Sequence, residues 1–148
     1  MIPADDALFV DANVLVYASI QESEAHQIAL RRLDELHQSG RELWVSRQVL
    51  REYLSVITKR NYFLRPLSRM QAIAAVHEIG GRFRIADETM ETGAQLIALL
   101  SRFEVAGRQV HDCNIVATML ERGIKSLLTD NTRNFSIYGG LISLEHLR

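Results

Sequence analysis

With 148 residues, 47% of them hydrophobic, the chain has the material for a single domain over 1–148 with its own buried core, and its one cysteine, Cys113, excludes an internal disulfide. A formal net charge of −1, from 17 basic and 18 acidic residues, excludes a global positive field that would draw in long nucleic acid, so any such binding is local. The N-terminal MIPADDALF has no basic leader and no segment approaches about 18 consecutive apolar residues, so a cytoplasmic protein without membrane association is expected.

Leu8, Phe9 and Val10 form a short apolar run suited to a strand buried on both faces. Asp11 ends it. An uncompensated carboxylate is costly inside a core, so Asp11 is expected at the strand's carboxyl edge, where open α/β sheets bind ligands. Asn13 falls in the turn, and Val14, Leu15, Tyr17 and Ala18 resume an apolar pattern without a period of two, which predicts a helix. Ser23 is placed to cap a second helix running to about Gly40, with Ile28, Leu33 and Leu36 on its apolar stripe. Leu43, Trp44 and Val45 predict a second strand, closed by Ser46 as Asp11 closes the first. Ser46 then caps a helix through RQVLREYLSVITK, where Val49, Leu50, Tyr53, Leu54 and Ile57 recur at helical spacing and leave Glu52 near the edge of the buried stripe.

Asn61 and Pro66 break the pattern, and Ser68 with Gln71 has capping-box spacing for a helix from Arg69 to about Ile79, ended by Gly80 and Gly81. Between them Tyr62, Phe63 and Leu64, flanked by Lys59, Arg60 and Arg65, suit a partner surface, a stacking platform for single strands, or ordinary packing. Phe83 and Ile85 predict a third strand. Asp87 caps a long helix with Met90, Ala94, Ile97 and Leu100 on one face, closed by Gly107. The next helix begins near Val110, buries Ile115, Val116, Met119 and Leu120, and ends at Gly123. Asp112 lies in its first turn, where the helix dipole favours an acid with or without a catalytic role. Ser126, Leu127 and Leu128 predict a fourth strand closing on Thr129, Asp130 and Asn131, and Phe135 with Leu141 to Leu144 adds a small edge strand. There is no internal repeat.

This alternation of short strands and helices predicts an α/β fold, a three-layer sandwich around a central, mostly parallel four- to five-stranded sheet. Its strand ends face one edge. That edge collects Asp11, Ser46 and Asp130, with Glu52 and Asp112 in opening turns of helices directed back toward it. Two carboxylates about 4 Å apart repel by roughly 4 kcal/mol at an effective dielectric of 20, so such a cluster calls for a cation. All-oxygen donors without clustered His or Cys select Mg²⁺ or Mn²⁺ rather than zinc.

The segments VDANVLVYA, VSRQVLREYL and VHDCNIVATMLERGIKSLLTDN, in that order, resemble a PIN domain, and in particular VapC-like toxin ribonucleases. The resemblance spans nearly the whole chain. It implies a Mg²⁺-dependent endoribonuclease, the toxin of a type II toxin–antitoxin pair, with RNA as substrate, a homodimeric state and a cognate antitoxin. Carried over residue by residue, Asp11, Glu52 and Asp112 match the family's first three acids, Asp11 and Asp112 hold the metal, and Asn13 and Ser46 match the polar residues beside them. The fourth position departs from the family spacing: Asp130 supplies an acid one residue early, and Thr129 with Asn131 is the alternative.

Three other readings compete. His111, Asp112 and Cys113 are adjacent on a predicted helix, so their side chains diverge by about 100° and cannot act as a triad. The other histidines, His26, His37, His77 and His146, lack zinc spacing and are expected at the surface. A phosphotransfer enzyme with Asp11 as nucleophile would want an acid two residues on, where this chain has Asn13. A non-catalytic module, either receiver-like with Asp87 and Lys125 or a decayed PIN fold, is the alternative from another class.

Overall fold

The computed structural model describes residues 1–60 and 62–148; Asn61, part of the break expected after the third helix, lies outside the described residues. Each short apolar run forms a strand. β1 (Leu8–Val10), β2 (Leu43–Ser46), β3 (Arg84–Ala86), β4 (Ser126–Thr129) and β5 (Ser143–His146) make one sheet in the order β3-β2-β1-β4-β5. All four pairings are parallel, with Phe9 opposite both Trp44 and Leu127. Central β1 and β2 are buried throughout, which is why they read as continuous apolar runs rather than alternating ones.

The helices are α1 (Ala12–Ser19), α2 (His26–Gln38), α3 (Arg47–Ile57), α4 (Arg69–Arg82), α5 (Met90–Arg102), α6 (Gln109–Arg122) and the short α7 (Thr132–Phe135), which runs into one 3₁₀ turn at Ser136–Tyr138. From β1 the chain steps outward to β2 and β3, then crosses to β4 and β5 on the other side. Right-handed crossovers in opposite directions place the helices on opposite faces, giving three layers. Packing follows: α1 lies against α2 and α3, while α5 and α6 pair with each other. The reversal of direction falls between β1 and β4, and there the carboxyl ends of the strands diverge into a crevice. No helix among the described residues is long and apolar enough to cross a membrane.

Several boundaries differ from the sequence pattern, each for a physical reason. Ser23 does not cap α2; its hydroxyl accepts from the Ala25 N–H, and the helix starts at His26. His26 is buried, its ring nitrogen on the Tyr17 carbonyl at 2.8 Å, and takes the inner stripe with Ala29 and Leu36, while Ile28 is exposed. Gly80 and Gly81 stay helical, and α4 ends where Phe83 turns extended to enter β3. The capping box of Ser68 and Gln71 is present as expected.

In α5 the buried stripe is the other one. Thr89 caps it in place of Asp87, which pairs with Arg47 at 2.7 Å. The Thr92 hydroxyl accepts from the Thr89 N–H, and with that group satisfied Thr92 is buried, bringing Leu99 inward. Met90 and Ile97 are left 89% and 66% exposed. The helix ends at Arg102, so Gly107, with φ of 60°, serves the link to α6 instead. Gly123 closes α6 at φ 79°, a left-handed cap that suits glycine. Phe135 belongs to α7 rather than to the edge strand.

Candidate active site

Asp11 sits at the reversal point because β1 stops there and α1 starts, so its carboxylate serves as the helix cap. One oxygen accepts from the Ala12 N–H at 2.8 Å, and the other accepts from the Thr129 hydroxyl at the end of β4, also at 2.8 Å. That second bond spans the crevice between the two strands. Asn13, in the first turn of α1 rather than in a free turn, adds an amide donor to both Asp11 and Thr129 and accepts from the Asp130 N–H with its own oxygen. Burial raises the Asp11 pKa to about 6; the bonds from Thr129 and Ala12 oppose the rise, and the charges of Asp112 and Glu52 add to it. Three donors do not offset the loss of water around this charge.

Glu52 projects from α3 one turn beyond Gln48, and Gln48 fixes it. The buried Gln48 amide donates to Glu52 at 2.9 Å and to the His111 carbonyl at 2.8 Å, while its oxygen accepts from Asn114 at 2.8 Å. Neutral amides thus tie α3 to α6 beneath the acids. Asp112 stands in the first turn of α6, its pKa raised by burial and by the Glu52 charge, effects that His111 and the nearby Asn134 amide oppose. Cys113, next in sequence, is fully buried whereas His111 is exposed, which removes the triad reading.

The other expected site residues divide. Thr129 is buried and holds Asp11, and its hydroxyl accepts from the Asn131 N–H at 3.0 Å. Ser46 is fully buried, and its hydroxyl is occupied in capping α3 at Val49, so it does not reach the cleft. Asp130 turns away from the cleft: both its carboxylate oxygens accept from Arg148, at 3.2 and 3.3 Å. Of the four expected acids, Asp11, Glu52 and Asp112 line the cleft, together with Asn131 and Asn134.

That cleft, about 1110 Å³, is lined by Asp11, Glu52 and Asp112, with Arg51, Arg108 and Tyr17 among its walls. Arg51 and Arg108 form no ion pair among the described residues, which leaves two unpaired arginines in the lining beside the acids. Among the described residues no three His, Cys, Asp or Glu side chains converge as a group that could hold a metal ion. An open site suits Mg²⁺, which takes one or two carboxylates and keeps several waters. Gln48, Asn114, Asn134, Arg51 and Arg108 were missed in the sequence; only Gln48, four residues before Glu52 on one helix face, left a usable signal there. The receiver-like reading fails on geometry, since Lys125 precedes β4 and lies at the edge opposite Asp11.

The family model of the PIN domain matches residues 8–141. The chain belongs to the PIN domain family. No curated protein sequence matches this PIN domain significantly. Among solved structures it resembles VapBC2 from Rickettsia felis bound to a fragment of promoter DNA, at a TM-score of 0.71 and 19% identity, covering 95% of this chain and 98% of that one. It resembles a toxin–antitoxin complex from Klebsiella pneumoniae at 0.67 and 18%, covering 96% and 98%. It also resembles VapC20 of Mycobacterium tuberculosis, a toxin that cleaves the sarcin–ricin loop, at 0.61 and 21%, covering 81% and 86%. At these identities the likeness is one of fold, and it agrees with the three-layer parallel architecture expected from the strand and helix pattern.

Proposed function

We propose that this PIN domain, spanning 1–148, is a divalent-metal-dependent endoribonuclease that hydrolyses RNA phosphodiester bonds, acting in the cytoplasm as the toxin of a toxin–antitoxin pair. The observation that carries the reading is the buried Asp11 carboxylate, held at the strand reversal, short of compensating charge and facing Glu52 and Asp112 across one open cleft. Its solved neighbours supply the context, since two are toxin–antitoxin assemblies and one is a toxin that cleaves the sarcin–ricin loop.

Asp11 and Asp112 would hold the ion, with Mg²⁺ or Mn²⁺ fitting the oxygen-only donor set. When bound, a divalent cation supplies charge neutralisation at the phosphate and lowers the pKa of water. The chain's own contributions are separable. Thr129 and Asn13 fix the direction of the Asp11 lone pairs, and Gln48 holds Glu52 where it can orient a water or accept its proton. Arg51 and Arg108 bring positive charge to a strand of phosphates that the acids of the cleft alone would repel. Catalysis would therefore require the cation outright.

Purified protein incubated with RNA and Mg²⁺ or Mn²⁺ tests the reading, with chelator and Asp11→Asn as controls. Cleavage that disappears in both controls supports it; cleavage that persists in chelator refutes it. The pairing of Asp130 with Arg148 favours one second reading, a non-catalytic PIN-fold binding module, which RNA bound yet left intact at millimolar Mn²⁺ would establish. We further propose a homodimer and an antitoxin that covers the cleft. Sedimentation of the protein alone, and inhibition of cleavage by the antitoxin, check each in turn.

A further inference from the structure

The cleft continues beyond the acids along α3. Val56 stands one turn after Glu52 on the same wall, about 6 Å along the axis, and past the helix end Tyr62 and Phe63 complete that end of the cleft. Phe63 packs against the core, and Tyr62 meets it edge-on at 4.7 Å between ring centroids, inclined by 85°. Tyr62 is nonetheless 62% exposed. An aromatic ring anchored by its neighbour but open over most of its own surface has area left for a second planar group. Lys59 stands 5.3 Å from the same ring, and Arg51 and Arg108 line the same cleft.

The segment is also held in place by a specific device. Glu22, in the link between α1 and α2, accepts from the Leu64 N–H at 3.1 Å with one carboxylate oxygen and from the Arg65 N–H at 3.0 Å with the other. Glu22 itself lines the cleft. A negative charge on the wall of a site for phosphates opposes binding by simple electrostatics. The two backbone N–H groups it accepts from explain its presence differently: it latches the aromatic segment to the link between α1 and α2.

We propose that Tyr62, backed by Phe63, is a stacking platform for an unpaired base of the RNA strand whose phosphate enters the acid cleft, and that Glu22 is the positioning residue for this platform. The inference rests on the nuclease reading and deepens it by naming the substrate class, because a base held in a duplex cannot present its face to Tyr62. Stacking is indifferent to base identity and is removed by truncating the ring. Lys59 and the two arginines would follow the backbone on either side.

The test uses the full chain in chelator, where nothing is cleaved, with a single-stranded RNA oligonucleotide carrying 2-aminopurine. Wild type should quench the fluorophore on binding. Tyr62→Ala should lose the quench and about 5- to 100-fold in affinity, and Tyr62→Trp should restore both. In cleavage assays with Mg²⁺, Tyr62→Ala should raise KM more than it lowers kcat. Glu22→Ala decides between the two accounts of that residue by sign: weaker binding supports the latch, and tighter binding, from relief of charge alone, overturns it. RNA cleaved by wild type and Tyr62→Ala with the same KM would overturn the platform and leave the nuclease reading standing. A wild type that neither binds nor cleaves RNA would take both down.

Discussion

Replacing Asp11 with Asn separates the energetic cost of the site from its chemistry. A carboxyl group that titrates near 6 in the folded chain and near 3.8 in the unfolded one is favoured by folding only while it carries its proton. Its contribution to stability is complete below about 3.8 and is lost as pH rises through 6, so the metal-free protein at pH 8 is penalised by about 3 kcal/mol. Asn removes the charge and keeps an oxygen to accept from Ala12 or Thr129, so the variant escapes most of that penalty. At roughly 2 to 4 °C per kcal/mol for a chain of this size, Asp11→Asn should melt several degrees above wild type at pH 8 in chelator. Melting followed by circular dichroism at both pH 8 and pH 5 makes the test sharper. About half the penalty persists at pH 5, so the gap between the two proteins should narrow there by about 1.4 kcal/mol, a difference in which the altered hydrogen bonds cancel. Mg²⁺ at pH 8 should close the gap from the other side by stabilising wild type alone. Parallel pH dependence of the two proteins, or a variant less stable than wild type at pH 8, would refute the assignment of an ionised, poorly compensated carboxylate to this position.

Gln48→Leu should lower cleavage about 10- to 100-fold at limiting Mg²⁺, with partial recovery at high metal, because Glu52 loses the donor that orients it. Asn134→Ala, which removes an amide that favours the Asp112 carboxylate, should reduce activity by about tenfold, whereas Asp130→Ala should change it little because that carboxylate is turned to Arg148; titrated cleavage assays rank the two. Gly123→Ala should cost about 1 kcal/mol in denaturant unfolding without touching the site, since a side chain is strained at φ 79°. Equal stability of this variant and wild type would show that the α6 cap can re-form differently.

The sheet and three of the site's acids were legible because their signals are local. A buried parallel strand writes itself as an unbroken apolar run, and Asp11 is conspicuous for ending one. Glu52 and Asp112 follow from helical phase once α3 and α6 are placed. The direction of Asp130 was not legible, since it is decided by Arg148, 18 residues further on. Nor was the inner face of α5, where two stripes have the same period and a hydroxyl satisfied by the cap tips the choice. Gln48 and Asn114 meet across a separation of 66 residues, and neutral amides carry neither hydrophobic period nor charge to betray such a meeting. The aromatic segment was left open among three roles, and its latch by Glu22 spans 42 and 43 residues, beyond any local pattern.

The bond between Asp11 and Thr129 has a consequence in time. The two residues are 118 apart in sequence, and Asp112 also comes from the last third of the chain. β1 acquires its β4 neighbour only when that stretch has been made. At synthesis rates of about 5 to 20 residues per second, roughly 6 to 24 s pass between the addition of Asp11 and that of Thr129. Throughout that interval the first acid has no cleft to belong to. On the proposed function, a ribosome making this chain would be shielded by topology, because the cleft can assemble only after Thr129 has been added.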